Sequence, residues 1–392
     1  MNCQAKQKLL FLNMQKLLFL ICFSFLLLSC KSEVKRNKIV AKIDLQKTEI
    51  KYSESFNIKY SKNYKVITIT NPWPGSSKKY TYALIEKGII IPASEKYDAI
   101  IEIPVKEIVV TSTTHIPSLE MLGVAETLIG FPNLDYISSE ATRKRINNSE
   151  ITELGKNEDI NTEVLIDISP DLVVGFAVDG NNTSFSTLQK TGIPVVYNAD
   201  WTETSPLGKA EWIKFFAAFY NKEKAADSIF NQIEAEYLAV KKIASKANKK
   251  PNVLSGAMYK DIWYLPQGDS WAAQFIGDAN GNYLWNDSEG SGSISLNLES
   301  VLEKGQQAET WIGPGQFTSL QQLSDAHSVY KQFAAFKNKS VYNFTNKKGE
   351  TGGVLYYELA PNRPDIVLKD ITKILHPELL PNHELFFFSK LD

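Results

Sequence analysis

Residues 222–246 contain no glycine or proline, and Ala226, Ile229, Phe230, Ile233, Tyr237 and Val240 recur at steps of three or four. That spacing puts apolar side chains on one face of a single long helix. At 1.5 Å per residue such a helix spans about 37 Å. Residues 209–220 lead into it with a shorter helical pattern, and Pro251 closes it. A rod of this length in mid-chain acts as a stiff spacer, so the chain on either side of it should fold as separate lobes.

Both flanks read as α/β. Before the rod, the strands Glu107–Thr111, Thr127–Gly130, Asp171–Phe176 and Val195–Asn198 alternate with helices at Pro117–Leu122, Thr162–Ile168 and Ser184–Lys190. After it, the alternation restarts at Val253–Tyr259. Strands separated by short helices imply parallel βαβ units with helices on the sheet faces. The expected fold is therefore α/β, two Rossmann-like lobes over 105–208 and 249–392 joined by a connecting helical segment at 209–248. Ahead of them, 39–104 is β-rich. Phe56–Tyr60 and Tyr64–Thr70 read as a hairpin turning at Ser61-Lys62-Asn63, with a second pair at Tyr80–Glu86 and Gly88–Pro92.

The N-terminus carries an address. Lys16 precedes the apolar run Leu17–Leu28, and Leu27-Leu28-Ser29-Cys30 reads as a lipobox. The run is too short for a bilayer span, which needs about 20 residues, and its flanks fit a cleaved secretory signal. Residues 1–29 are thus expected to leave, with Cys30 lipidated, 30–38 serving as a polar tether, and the chain facing the periplasm from a bacterial membrane, inner or outer. Met14, two residues before Lys16, is the expected start of a signal of ordinary length. Cys3, Cys22 and Cys30 all lie at or before the cleavage site, so the body holds no thiol for a disulfide, catalysis or metal ligation. Losing three lysines with the leader moves the formal charge from −1 to −4, which with no basic face excludes nucleic acid as a partner.

The two lobes share a local pattern. Asn161-Thr162-Glu163 opens one helix and Asn297-Leu298-Glu299 another, each with a strand after it. In both, Asn is placed to cap and Glu sits in the first turn, where its charge favours the helix dipole. These read either as ordinary helix starts or as a matched pair of carboxylates on one face. The segment Asn161-Thr162-Glu163-Val164-Leu165 through Pro170-Asp171-Leu172-Val173, together with Val109–His115 and Arg363–Leu368, resembles the substrate-binding proteins of ABC importers for iron–siderophore complexes and cobalamin. The resemblance runs from about Val105 to the C-terminus and is looser in the second lobe. It implies two lobes on one long helix, a metal chelate as ligand, no resident cofactor, an ABC permease dimer as partner, and Glu163 and Glu299 as the carboxylates that dock onto permease arginines. The β-rich 39–104 lies outside the pattern.

In α/β lobes the loops after the strands form the ligand crevice. Those loops supply Thr113, Thr114, His115, Tyr136, Phe176 and Trp201 from the first lobe, and Tyr259, Trp263 and Tyr356 from the second, with Trp311 from the strand before one of them as a further candidate. Their aromatic rings suit a large flat ligand, since each buries much area at small entropic cost. Trp73 lies in a Pro-Gly loop and reads as packing. His115, His327, His376 and His383 are the only histidines, and only His115 falls in the expected cleft, as a hydrogen-bonding or axial contact. A direct zinc or manganese site would need about three.

No Gly-x-Ser-x-Gly, P-loop or His-Glu-x-x-His motif occurs, and Gly290-Ser291-Gly292-Ser293 lacks the lysine of a phosphate loop and reads as mobile. An enzyme is therefore not expected. The alternatives to a carrier are a surface adhesin or assembly lipoprotein using the β-rich segment, or a protein binding a bare metal ion.

Overall fold

The computed structural model describes residues 39–40, 46–47, 49–91, 95–157, 159–180 and 182–392. The signal, Cys30 and the tether lie outside the described residues. Among those described, no helix is long and apolar enough to cross a membrane.

Among the described residues the N-terminal part holds a sheet of five strands: β1 (Gln46–Lys47), β2 (Phe56–Tyr60), β3 (Tyr64–Thr70), β4 (Lys79–Glu86) and β5 (Ala99–Ile103), neighbours in that order. The β2–β3 hairpin turns where Ser61-Lys62-Asn63 places it. The expected second hairpin does not form. Only Ile89–Ile90 is extended after the Glu86 turn, and β4 instead takes β5 as a parallel neighbour. Alternation marks a strand but does not choose its partner.

The first lobe holds β6 (Ile108–Val110), β7 (Leu128–Phe131), β8 (Thr152–Glu153), β9 (Leu172–Gly175) and β10 (Val195–Tyr197). All are parallel, in the order β8-β7-β6-β9-β10. The order reverses between β6 and β9, where a crevice opens in such sheets.

The long helix is Glu223–Ala244, about 33 Å by the standard rise. Its buried face is Ala226, Phe230, Ile233, Tyr237, Val240 and Ala244, with Ile229 half-buried. It is no bare spacer, because it lies along the last helix, Pro364–Leu375, with Lys369 Nζ 2.6 Å from Glu236 and Tyr237 donating to Asp278 at 2.6 Å. The stretch read as one helix over 209–220 is two, Pro206–Glu211 and Ile213–Ala218, meeting at Trp212. Every residue of both is buried, charged ones included. A helix buried on all sides lies inside the protein rather than on its surface, and this pair is wedged against the N-terminal sheet.

The second lobe repeats the theme with β11 (Asn252–Ser255), β12 (Ala257–Tyr259), β13 (Ile262–Pro266), β14 (Asn282–Tyr283), β15 (Ser293–Leu296), β16 (Thr310–Ile312), β17 (Val341–Asn343) and β18 (Ser389–Lys390). Its main sheet runs β14-β11-β16-β17-β18 and is parallel except for β18. β12, β13 and β15 form a separate antiparallel flap.

Candidate functional site

A groove of about 860 Å³ lies where three parts of the chain meet. The loop after β10 gives Trp201 to Thr204, and the next helix gives Lys209. The second lobe gives Gln267, Trp271, Ser291 and Gly292. The N-terminal sheet gives Glu54, Ser55 and the β3–β4 loop from Asn71 to Ser77.

Lys209 is the charged centre of this surface. It is 8% exposed, and its ammonium donates to the carbonyls of Asp200 at 2.9 Å and Trp201 at 3.2 Å. It also sits 5.4 Å from the Trp271 ring, a cation–π distance. Among the described residues no carboxylate comes within ion-pair distance of it. Burial pulls its pKa below the ordinary lysine value, while Asp200 and Glu203 pull the other way. The Trp201 indole N–H is buried with no acceptor. A cation beside two indole rings at one groove suits an anionic, aromatic ligand.

Glu203 joins the groove to the N-terminal sheet. Its carboxylate accepts from Glu54 N, Ser55 N (3.1 Å), the Ser53 hydroxyl and Trp212 Nε1 (3.1 Å). Glu211, wholly buried, accepts from the N–H groups of Lys51, Tyr52 and Ser53 at 2.8–3.1 Å and pairs with Lys214 at 2.8 Å. Two internal carboxylates thus receive the backbone donors that lead into β2.

The lobes are also stitched to each other. Glu358 accepts from the N–H groups of Ser138 and Ser139 at 2.6 and 3.0 Å, Asn362 donates to the Thr114 carbonyl at 2.8 Å, and Ser118 donates to Asn362 at 2.8 Å. Backbones touch here too, since a Cβ on Gly353 would lie 2.3 Å from the Tyr136 carbonyl oxygen. A second cavity, about 780 Å³, borders this seam. Its lining is mostly Lys, Arg, Glu and Asn with Leu355 as the one apolar side chain and no aromatic ring, so the Trp-lined groove is the better ligand site.

Burial pushes the Glu358 pKa up to about 7. Between the ordinary glutamate value and 7 the folded chain keeps a proton that the unfolded chain has lost, so this group lowers stability as pH rises through that window. The stability of the parent chain minus that of Glu358→Gln should therefore fall from pH 5 to pH 8 in urea unfolding, the parent losing ground to a variant that does not titrate there. Parallel pH profiles for the two chains would refute the assignment.

The expected site residues divide. Trp201 lines the groove. Thr113, Thr114 and Phe176 are partly buried and do not line it, although Thr114 Oγ1 donates to Asp200, the neighbour of Trp201, at 2.7 Å. Tyr136 and Tyr259 are exposed, at 62% and 67%, and neither lines the groove. The remaining four are corrections. Trp263 and Trp311 are fully buried, stack at 5.4 Å, and spend their indole N–H groups on the carbonyls of Ser255 and Gly256. Tyr356 is buried against Phe344 at 4.2 Å. His115 is fully buried beside Phe216 and does not line the groove; burial lowers its pKa, with Asp200 and Asn198 pulling the other way, so it reads as a core residue. His383 pairs with Asp370, and His327 accepts from Val329 N. The Gly290–Ser293 segment is pinned rather than mobile, because Gln267 and Asp269 bond Gly290 and Gly292 through side chain and backbone.

Sequence reasoning misses Lys209, Trp271, Gln267 and the Asn71–Ser77 loop. Trp271 does carry a signal: it is the first residue of a helix capped by Ser270 just beyond β13. Lys209 carries another, as a cation in an apolar helical run. Glu163 and Glu299 are both exposed in the first turn of helices whose caps, Asn161 and Asn297, accept from Val164 N and Ser300 N at 3.1 and 2.8 Å.

A family model described as periplasmic binding protein matches residues 108–347. An uncharacterized lipoprotein of Methanocaldococcus jannaschii is 28% identical over 362 residues, covering 85% of each chain. Among solved structures, a possible iron-binding (periplasmic solute-binding) protein from Staphylococcus epidermidis has a TM-score of 0.56 at 18% identity, covering 70% of this chain and 99% of that one. A periplasmic heme binding protein of Vibrio cholerae has a TM-score of 0.53 at 16% identity, covering 67% of this chain and 99% of its own.

Proposed function

The chain belongs to the periplasmic binding protein family, and on that premise we propose that it is the lipid-anchored capture component of an ABC importer for a metal chelate. The ligand is an iron–siderophore complex, cobalamin or a related flat chelate, and it rests in the groove walled by Trp201 and Trp271. Lys209 faces an anionic edge of it. Cys30 carries the lipid, which agrees with the lipoprotein name of the Methanocaldococcus relative. Glu163 and Glu299 meet the permease.

One observation carries this reading: both lobes give an indole to a single groove of about 860 Å³ that holds a buried lysine without a carboxylate partner. That volume is in the range of small-molecule sites, and an anion bound beside Lys209 would add to the pull of Asp200 and Glu203 in holding the buried ammonium charged.

The test uses purified residues 31–392, titrated with cobalamin, haem, a ferric hydroxamate and a ferric catecholate while tryptophan fluorescence is monitored. Saturable quenching by one of them is expected, weakened at least tenfold in Lys209→Met. A flat response to all four would move the weight to a surface adhesin that uses the N-terminal sheet.

A further inference from the structure

We propose that the N-terminal sheet is a working part of the ligand site, with the Asn71–Ser77 loop as the groove's third wall and its selector for ligand size. This rests on the carrier reading. The sheet lies before residue 108, where the family match begins, so the wall is an addition to the two-lobe plan.

The loop lies on the groove yet is not explained by packing. Pro74, Gly75 and Ser77 are exposed and line the cavity, while Pro72 and Trp73 between the strands are buried as its root. Trp73 is wedged against Tyr80 and Tyr197 at ring distances of 6.3 and 5.9 Å, and it approaches the Gly180 backbone so closely that an added Cβ would lie 3.3 Å away. Asn71 and Gly75 take left-handed backbone angles, φ 50° and 73°, that turn the chain over the groove. Ser76 N closes the turn on the Trp73 carbonyl at 3.1 Å.

The wall is also held to the first-lobe side. Tyr197 N donates to Tyr82 OH at 3.1 Å. Lys65 donates to the Ala218 carbonyl at 2.8 Å and pairs with Glu223. With Glu203 and Glu211 receiving the donors of residues 51–55, the loop is fixed to Trp201 and Lys209. Gln267, Trp271, Ser291 and Gly292 come from the other lobe. A ligand must fit between a fixed wall and those residues, so the loop sets an upper size.

The experiment compares the full mature chain with Ser77→Trp, which fills the groove from an exposed position, and with Lys59→Trp, a change at another exposed position, on β2 and outside the groove's lining. Each is titrated with the same four chelates, and each is melted. Ser77→Trp should lose at least tenfold in affinity for the chelate that binds the parent, at an unchanged melting temperature, while Lys59→Trp keeps parental affinity. Parental affinity in Ser77→Trp would overturn the wall and leave the carrier reading standing. No binding of any chelate by the parent chain would bring down both.

Discussion

Replacing Glu163 and Glu299 together by alanine is expected to abolish chelate uptake by cells while the purified protein keeps its affinity. Both carboxylates are exposed, and both stand in the first turn of a helix already capped by an asparagine. Each contributes about 0.3–1 kcal/mol through the helix dipole, so the fold should survive the double change. Against a permease the balance differs. Truncating one partner of a buried, hydrogen-bonded charge pair at an interface costs about 2–5 kcal/mol, and two such losses suffice to end productive docking. Uptake of labelled chelate and fluorescence titration of the purified variant, done side by side, decide it. A fall in affinity would place the carboxylates in the ligand site, and undiminished uptake would remove them from docking.

The second large effect is on stability. Glu211→Ala should destabilise the chain by about 3–5 kcal/mol, the usual cost of breaking a buried ion pair. The change leaves the Lys214 ammonium with only the distant Asp227 (3.9 Å) and the Glu49 carbonyl (3.4 Å), and leaves the N–H groups of Lys51, Tyr52 and Ser53 without their acceptor. A loss of under about 1 kcal/mol in the free energy of urea unfolding would mean that water replaces the carboxylate and that the site is not sealed. Because the same segment carries residues 54 and 55 into the groove, chelate affinity should fall as well, which separates this variant from a purely structural lesion elsewhere.

The long helix and the two asparagine caps are legible in the sequence because their signals are local. A 3.6-residue period and an Asn three residues before a helical N–H are written within one turn or one element. The flap shows where that stops. Along β13, Ile262 and Tyr264 are exposed while Trp263 and Leu265 are buried. The alternation is readable, but which face meets the core depends on β12, β15 and the rings of Tyr330 and Phe333. Pattern alone therefore sends Trp263 and Trp311 to the ligand when they belong to each other. His115 is a similar case: it does come just after β6, but the chain turns inward there onto Phe216. The Asn71–Ser77 loop is invisible for another reason, since nothing within residues 71–77 records that the other lobe lies across from them.

Glu203 sets a limit on how this protein can be dissected. Trimming the chain back to residue 108, where the family match begins, would delete Ser53, Glu54 and Ser55, and a buried carboxylate would keep only the Trp212 indole of its protein donors. A minimal two-lobe version is thus not a smaller form of the same machine but a damaged one. Grafting the front sheet onto another two-lobe protein would succeed only if the receiving acids, Glu203 and Glu211, travel with it.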